Sequence, residues 1–459
     1  MINLCNKGIE KYFPWIHAFG FFALFAMQMT QYYYCNFYAI WFPNRYASLA
    51  AGFTVLYYMI RRFRDGKEVQ ILSIYAVWVL LTRIISGYLL DEEDLLLSVG
   101  MFICVFSFAL AYQFDYKKRQ MLLNVFTIVF IGIITFVSAV GIYAALIQKP
   151  VDIKFFGKTL DAATFQEEGG VMRLRIADAH PNTSACWAFM CLFILINRLV
   201  ATKSKLLKAI IIIAAVIDYL AMALTNCRTI FACFSICAAV LVYLLISGKL
   251  PTGKTSIKVI CFVLSVVIIV PIAYKSVDLS LKGLNYLSLN TVPEGTVVED
   301  NTLYENSREV IGEESTLKPR ILIWKSAINT IRQQPERLLI GSSVARLGEV
   351  SDVSEGINFH VYHYHNMFVN VLMLTGIPGL VAVIVFLFVL VKKILILLFS
   401  SKKETALAEK TLTIPLIGFI GYGATLEVLL FTETDIRAFA FFFIAGIMLA
   451  DYRDLEIGK

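Results

Sequence analysis

Arg228 lies in a very short polar turn between two apolar stretches, in the segment Leu224-Thr225-Asn226-Cys227-Arg228-Thr229. Because the turn is so short, we expect the guanidinium at or just inside a membrane surface. There it could bind an anion from a cavity, since a guanidinium keeps its charge at any physiological pH. The alternative is an arginine at a helix end that extends its charge into water along its alkyl chain.

Arg320 and Trp324 lie one helical turn apart in a stretch that should form a helix. Apolar residues recur there at helical spacing, at Ile323, Ala327 and Ile331. Pro319 is predicted at the first helical position, and Pro335 is predicted to follow the helix end. A guanidinium near a helix N-terminus adds to the positive field of that end and suits a phosphate group. The alternative is an ordinary exposed arginine beside a core tryptophan.

Three of the five histidines fall within six residues, just before the chain returns to an apolar stretch: His360, His363 and His365. No cysteine or carboxylate nearby completes a set of metal ligands, so we expect neither a metal nor a cofactor. His365 is the best candidate for chemistry, since an imidazole titrates near neutral pH and can accept a hydroxyl proton. Asn366, the next residue, would fix its surroundings.

Weaker candidates for substrate binding are Arg175 and His180, which lie in a second polar segment together with Arg173. Glu427, Glu433 and Arg437 lie near the end of the chain. For those three we predict an ion pair that orders a helical hairpin.

The elements that must position these residues are membrane helices. Segments of about twenty apolar residues are needed to cross a hydrocarbon core. Twelve candidates occur, at residues 14–36, 46–60, 69–90, 95–114, 121–147, 183–200, 209–225, 229–247, 259–275, 377–398, 411–431 and 438–451. Composition agrees, because 58% of the 459 residues are hydrophobic and only 16% are charged, against roughly 25% charged in soluble domains. The sequence therefore predicts an all-α polytopic membrane protein rather than a soluble domain.

The charges between these segments predict an orientation. Lysine and arginine cluster in alternate connections, for example Arg61-Arg62 and Lys117-Lys118-Arg119, whereas the opposite connections hold acidic runs such as Asp91–Asp94. The positive-inside rule then places both termini in the cytoplasm. The net charge of +7 is explained by this topology, so we expect no nucleic-acid partner. Nine cysteines, an odd number lying mostly in apolar segments, argue against a disulfide framework.

The chain divides into three parts on this prediction. Residues 1–275 form helices one to nine and include a smaller outer loop at 148–182. Residues 276–365 form a large outer loop that holds the active-site helix, and residues 366–459 form the last three helices. Loops this long usually carry function or are disordered.

The outer residues resemble the signature of the O-antigen ligase and polymerase superfamily over roughly residues 183–395. The matching elements are Arg320-Ile-Leu-Ile-Trp324 with Ala327, Ile331, Pro335 and Leu338-Leu339-Ile340-Gly341, then His365-Asn366 followed by Thr375-Gly376-Ile-Pro-Gly379, and Arg228 after Thr225. Two departures are Asn226-Cys227, where the family more often has serine, and Gly341-Ser342-Ser343, where it usually has Gly-x-Gly.

The resemblance implies a membrane glycosyltransferase of the C type, placed in the bacterial cytoplasmic (inner) membrane. Such enzymes transfer a glycan from undecaprenyl pyrophosphate to an acceptor hydroxyl of a lipid or glycan at the outer face, without a metal. It also implies that Arg228 and Arg320 hold the diphosphate and that His365 orients or deprotonates the acceptor hydroxyl, with Trp324, Asn366, Arg175 and His180 in the binding site.

Three alternatives remain at this point. A polymerase would use the same chemistry on another lipid-linked repeat unit. A polysaccharide transporter or flippase fits twelve spans and is favoured by one residue, Arg83, within an apolar segment; against it, the halves show no repeat and the unusual residues gather outside the membrane. A non-catalytic membrane scaffold or sensor would leave the Arg and His-Asn residues without a role.

Overall fold

The computed structural model describes residues 12–23, 25, 66–87, 92–155, 158–168, 171–176, 179–247, 255–291, 314–343, 349–352, 357–360, 364–399, 407–425, 431 and 436–457. The helices are α1 (12–23), α2 (Lys67–Ile85), α3 (Glu92–Leu110), α4 (Tyr116–Ile147), α5 (Pro181–Ala201), α6 (Lys205–Leu224), α7 (Arg228–Ser247), α8 (Thr255–Thr291), α9 (Glu314–Gln333), α10 (Arg337–Ile340), α11 (Met367–Phe399), α12 (Leu407–Thr411), α13 (Thr413–Thr425) and α14 (Ile436–Ile457). A 3-10 turn at Ala111–Gln113 follows α3.

Seven of the described helices are long and apolar enough to cross a membrane: Lys67–Ile85, Tyr116–Ile147, Pro181–Ala201, Lys205–Leu224, Arg228–Ser247, Ser256–Leu284 within α8, and Met367–Phe399. In a bilayer every backbone polar group must bond within its own segment, which leaves helices as the form for such stretches. The chain is therefore a multi-pass membrane protein. The seven helices coincide with seven of the twelve predicted spans, and the segment at 46–60 lies outside the described residues.

Several helix bounds differ from the sequence prediction, and α8 and α9 are two examples. Helix α8 continues to Thr291, although the predicted span ends at residue 275. Helix α9 begins at Glu314, so the prediction that Pro319 takes the first helical position is wrong. Pro319 is instead the sixth residue of α9, beyond the first turn, and its ring nitrogen donates no hydrogen bond within the helix.

Both polar segments contain antiparallel strands that the sequence prediction did not include. Strands β1 (Val151–Phe155), β2 (Lys158–Glu168) and β3 (Val171–Ile176) form one sheet in that order, and β4 (Glu349–Asp352) pairs with β5 (Ile357–His360). In the larger sheet, Arg175 pairs with Thr164 and Arg173 with Gln166. Alternate residues of a strand face opposite sides. Leu174 and Ile176 are buried and lie close to Gly141 of α4, so Arg173 and Arg175 lie on the other face.

Helix α14 lies at the centre of the bundle, since nearly all its side chains from Ala438 to Ala450 are buried. Its Phe443 stacks on Phe21 with ring centroids 4.7 Å apart and packs on Phe126 at 4.9 Å. Helices α6 and α8 lie at the periphery instead, with large apolar side chains exposed, such as Ile213 and Val267. Lipid would cover that apolar surface in a membrane.

Helix α11 is kinked at Gly376, whose φ of +70° is not helical. Pro378 has no N–H, so the carbonyl of Leu374 lacks its usual donor four residues on. Arg83 of α2 donates to that carbonyl and also to the carbonyl of Ser342. Trp78, also of α2, donates to the carbonyl of Thr375 at 2.8 Å. The Thr-Gly-x-Pro-Gly element of the sequence therefore makes a helix break whose free carbonyls are taken by α2.

Arg83 is fully buried and forms a 3.0 Å ion pair with Asp94. Asp94 also accepts a hydrogen bond from the hydroxyl of Ser343. These contacts give Arg83 a structural role, because it holds the segment after α10 against the kink in α11. Arg83 was the one residue that favoured a transporter, and these structural contacts account for its burial without a role in transport.

Candidate functional site

Arg228 is the first residue of α7, and its side chain is half-buried. The turn before it is tight: Asn226 has a φ of +50°, and its N–H donates to the carbonyl of Ala223 at 3.0 Å. Thr225 is fully buried. Within the described part of the chain, the guanidinium of Arg228 has no hydrogen bond or ion pair. This charge is therefore available to a ligand.

Arg173 of β3 fixes this turn. Its Nε donates to the carbonyl of Thr225 at 2.9 Å, and its Nη2 donates to the side-chain oxygen of Asn182 in the first turn of α5. A carbonyl that ends a helix has no donor within that helix. Arg173 supplies the donor for Thr225 and so joins the start of α5 to the connection that carries Arg228.

Arg175 lies on the same face of β3 as Arg173 and is half-buried. His180 is exposed and is the N-cap residue of α5, because its Nδ1 accepts from the N–H of Asn182 at 3.3 Å. Arg175 thus lies on the strand face from which Arg173 contacts the Arg228 turn, whereas one ring nitrogen of His180 is engaged in capping a helix.

Arg320 and Trp324 lie one turn apart on α9, as predicted. Ile323 and Ala327 are buried, and Arg320 and Trp324 are half-buried. The indole Nε1 of Trp324 donates to the carbonyl of Tyr364 at 2.9 Å. Arg320 forms no hydrogen bond or ion pair within the described residues. The tryptophan therefore holds the helix of Arg320 against the backbone that immediately precedes His365.

His365 has a left-handed backbone, with a φ of +49°. Non-glycine residues adopt this conformation rarely, although histidine and asparagine do so more readily than most. The next residue, Asn366, caps α11: its Oδ1 accepts from the N–H groups of Phe368 at 2.9 Å and Val369 at 3.1 Å. The turn at His365 is thus set by the helix start, and the half-buried imidazole stands where the chain enters the bundle.

Tyr364 is fully buried, and its N–H donates to Oδ1 of Asn370 at 3.2 Å. Burial raises the pKa of the Tyr364 phenol to about 12, and the positive charge of Arg337 partly offsets that rise. The phenol therefore stays protonated at any physiological pH. Arg337, the first residue of α10, is a further cation near the Tyr364 phenol that the sequence did not single out.

Helix α13 connects the two groups of residues. The hydroxyl of Tyr422 donates to the carbonyl of Asn182 at 3.1 Å, and Nδ2 of Asn366 donates to the carbonyl of Ala424 at 2.9 Å. Since Tyr422 and Ala424 are two residues apart, the first turn of α5 and the start of α11 lie against the same end of α13. We call this face of the bundle, with the β1–β3 sheet and α9, the Arg228 end.

Sequence reasoning named most of the cations at the Arg228 end but missed how they are held. Arg228, Arg320 and His365 come from three separate elements, and the structure joins those elements through Arg173, Asn182, Tyr422 and Trp324. Tyr422 and Arg337 carried no local signal, because an isolated tyrosine or arginine in such a sequence has many ordinary roles. His363 and Glu433 lie outside the described residues.

Guanidinium groups and a half-buried imidazole on elements that meet at one end of a bundle have the chemistry to bind a group with several anionic oxygens. Arginine binds phosphate oxygens through two parallel N–H donors. Such fixed donors stabilise a diphosphate as its charge develops. An imidazole within reach of a hydroxyl can accept its proton.

Comparison with known families identifies a match over part of the chain. Residues 209–384 match the family model described as O-antigen ligase. The matched stretch contains Arg228, Arg320, Trp324, His365 and Asn366, whereas Arg175 and His180 precede it. No curated protein matches the chain.

Proposed function

Because this chain belongs to the O-antigen ligase superfamily through residues 209–384 and so to the proteins of polysaccharide biosynthesis, we propose that it transfers a glycan from undecaprenyl pyrophosphate to an acceptor hydroxyl. We place the reaction at the Arg228 end, on the outer face of the bacterial cytoplasmic membrane. The observation that carries the proposal is that the family match contains all three proposed catalytic residues, Arg228, Arg320 and His365.

In the proposed reaction, the acceptor hydroxyl oxygen attacks the anomeric carbon, and the bond from that carbon to the diphosphate oxygen breaks. The hydroxyl proton goes to the imidazole of His365. Arg228 and Arg320 hold the leaving diphosphate. Among the residues that the structure describes, neither guanidinium has a hydrogen bond or ion pair. This supports the role, because arginines already paired with carboxylates would have to exchange partners before binding a phosphate.

The remaining residues would bind and orient the substrate. Arg175 faces the same side as Arg173 and would add charge for the diphosphate. Trp324 and Asn366 hold backbone groups beside His365, so their contribution would be to its position. His180, an exposed N-cap, would contact the glycan.

The nature of the leaving group can be tested with purified full-length protein in detergent. The donor is a glycan on polyprenyl diphosphate, and the matched control is the same glycan on polyprenyl monophosphate. We expect transfer from the diphosphate donor only, because two arginines are suited to more than one phosphate group. Equal transfer from both donors, or transfer from neither with the protein folded, would contradict the proposal.

The length of the product separates a ligase from the alternative, a polymerase of lipid-linked repeat units. Both use the same donor and bond. We favour the ligase, which predicts a single addition to an acceptor on a gel. A ladder of products would instead assign the polymerase reaction.

A further inference from the structure

Asp218 is a carboxyl group buried within a membrane-spanning helix. It lies in α6, six residues before the Leu224 end, and its side chain is fully buried. The hydroxyl of Thr135 on α4 donates to its Oδ2 at 2.9 Å. Its second oxygen, Oδ1, is buried and has no hydrogen bond of good geometry to any described residue, and the same holds for the hydroxyl of Ser138 beside it.

The groups facing Asp218 from the packed helices are neutral. Helix α4 presents the hydroxyls of Thr135 and Ser138, and α5 presents the thiol of Cys191, whose sulfur lies 3.9 Å from the Thr135 hydroxyl. Tyr219, the next residue, points to Ser276 of α8, with 2.8 Å between the hydroxyl oxygens. Among the described residues, no lysine or arginine pairs with Asp218.

Arg198 is the arginine of α5, and it lies elsewhere along the bundle. Its guanidinium donates to Asn124 at 2.7 Å and to Thr127 at 2.9 Å. Thr127 precedes Thr135 by two helical turns on α4, about 12 Å at 1.5 Å per residue. The Arg198 guanidinium is therefore held about two helical turns away from the Thr135 and Asp218 contact.

Asp94 is a buried carboxylate that, unlike Asp218 in the described part of the chain, pairs with a cation. It is as fully buried as Asp218, yet its carboxylate pairs with Arg83 at 3.0 Å. An unpaired ionised carboxylate in an apolar medium is costly, so a buried acid without a cation takes up a proton or binds an ion. Helices α4, α5 and α6 run unbroken past these side chains, which leaves their carbonyls engaged in helix hydrogen bonds. A metal cation would therefore find few further oxygens.

We propose that Asp218 is a proton-binding site within the membrane. The carboxyl group holds the proton on Oδ1 and directs it to the hydroxyl oxygen of Ser138, while Oδ2 accepts from Thr135. Asp218 and Thr225 are seven residues apart, so they share a face of α6 and are separated by about 10 Å. Along α6, the site therefore lies about 10 Å from Thr225, which Arg173 contacts. Loss of the proton would place a negative charge at that distance from the Arg228 end.

The proton can be detected by its reaction with dicyclohexylcarbodiimide, an apolar reagent. The carboxyl proton moves to a carbodiimide nitrogen, the oxygen adds to the central carbon, and the product rearranges to an N-acylurea with no leaving group. We expect the full reagent mass on the peptide that contains Asp218, more at pH 5.5 than at pH 8.5, and none on the peptide that contains Asp94. The Asp218→Asn variant should lose this adduct. Absence of the adduct at pH 5.5, or equal labelling of Asp94, would overturn the proposal.

Thermal unfolding of the full chain gives a second measurement, because asparagine imitates a protonated aspartate. We expect the Tm of Asp218→Asn to lie within about 2 °C of the wild type at pH 4, close to the pKa of about 3.9 for an aspartate in the unfolded chain. As the pH rises to 9.5, the wild type should fall below the variant. A wild-type Tm that rises with sodium concentration, while the variant does not respond, would show a cation site instead. A wild type that follows the variant at every pH also contradicts the proposal. Neither measurement involves glycan transfer, so the proposal for Asp218 can fail while the proposed function stands.

Discussion

The indole of Trp324 donates a 2.9 Å hydrogen bond to the carbonyl of Tyr364, the residue before His365. The two partners are 40 residues apart in the chain. Since Arg320 lies one turn before Trp324 on the same helix face, this contact sets where the guanidinium of Arg320 stands relative to the imidazole of His365. One neutral hydrogen bond therefore positions two of the three proposed catalytic groups.

Trp324→Phe tests this positioning while keeping an aromatic ring in place. A neutral hydrogen bond contributes about 1 kcal/mol, which corresponds to roughly a fivefold change in an equilibrium. We expect glycan transfer to slow by about that factor, with Tm nearly unchanged. The matched control is Trp15→Phe, since Trp15 is partly exposed and packs on Phe114 at the other end of α4. Equal slowing in both variants would remove the positioning role.

Arg173→Ala tests whether the turn that carries Arg228 depends on β3. It removes the donors to Thr225 and Asn182. Hydrogen bonds from charged groups contribute about 1.5–3 kcal/mol, so we expect transfer to fall roughly 10- to 100-fold. A double-mutant cycle with Asn182→Ala should show coupling, because both changes remove one shared contact. Additive effects in the cycle would show that the two residues act separately.

Gly376→Ala tests the close contact between α10 and the kink in α11. A Cβ at this position would overlap the carbonyl of Leu339, and the φ of +70° is itself unfavourable for alanine. The backbone term alone costs about 1–2 kcal/mol. We expect a lower Tm, measured by thermal unfolding in detergent.

The control for this change is Gly132→Ala in α4, where nothing lies within 4 Å of the added Cβ. Alanine in a helix interior is favoured over glycine by about 0.5–1 kcal/mol. The control should therefore leave Tm unchanged or raise it. If both substitutions move Tm in the same direction, the contact at Gly376 is not what limits stability.

Asp94→Asn tests the buried ion pair with Arg83. Removing one partner of such a pair leaves a buried charge and costs about 3–5 kcal/mol. The exposed pair of Lys118 and Asp115, at 2.7 Å with both side chains about half exposed, provides the comparison. Lys118→Ala should cost under about 1 kcal/mol. Chemical or thermal unfolding of both variants measures the difference, and similar stabilities would contradict the structural role given to Arg83.

The sequence predicted the membrane helices because apolar length alone sets them. It could not predict that Arg83 takes the carbonyl of Leu374, a contact across 291 residues. Glycine and proline at Gly376 and Pro378 disfavour an unbroken helix, but the donors to the freed carbonyls depend on tertiary packing. Local signals therefore find the elements, and the side chains that join them appear only in the folded bundle.

The strands of the smaller polar segment did leave a signal. Val151-Asp-Ile-Lys-Phe155 alternates apolar and polar residues, as a half-buried strand does. A polar segment between two membrane helices is expected to form a loop, and the alternation within it is short. Strand β3 matters for the candidate site, because it places Arg173 and Arg175 on the same face of the sheet.

The most direct test of the central claim is single-turnover transfer from a polyprenyl-diphosphate glycan by three variants, Arg228→Ala, Arg320→Ala and His365→Asn. Asparagine tolerates the left-handed backbone of His365 but provides no base, and Arg332→Ala, an exposed change on α9, is the control. We predict that each variant loses on the order of a hundredfold in rate, with Tm unchanged and the control active. Rates within twofold of wild type in all three variants, roughly the scatter of such assays, would contradict a glycan-transfer site at the Arg228 end.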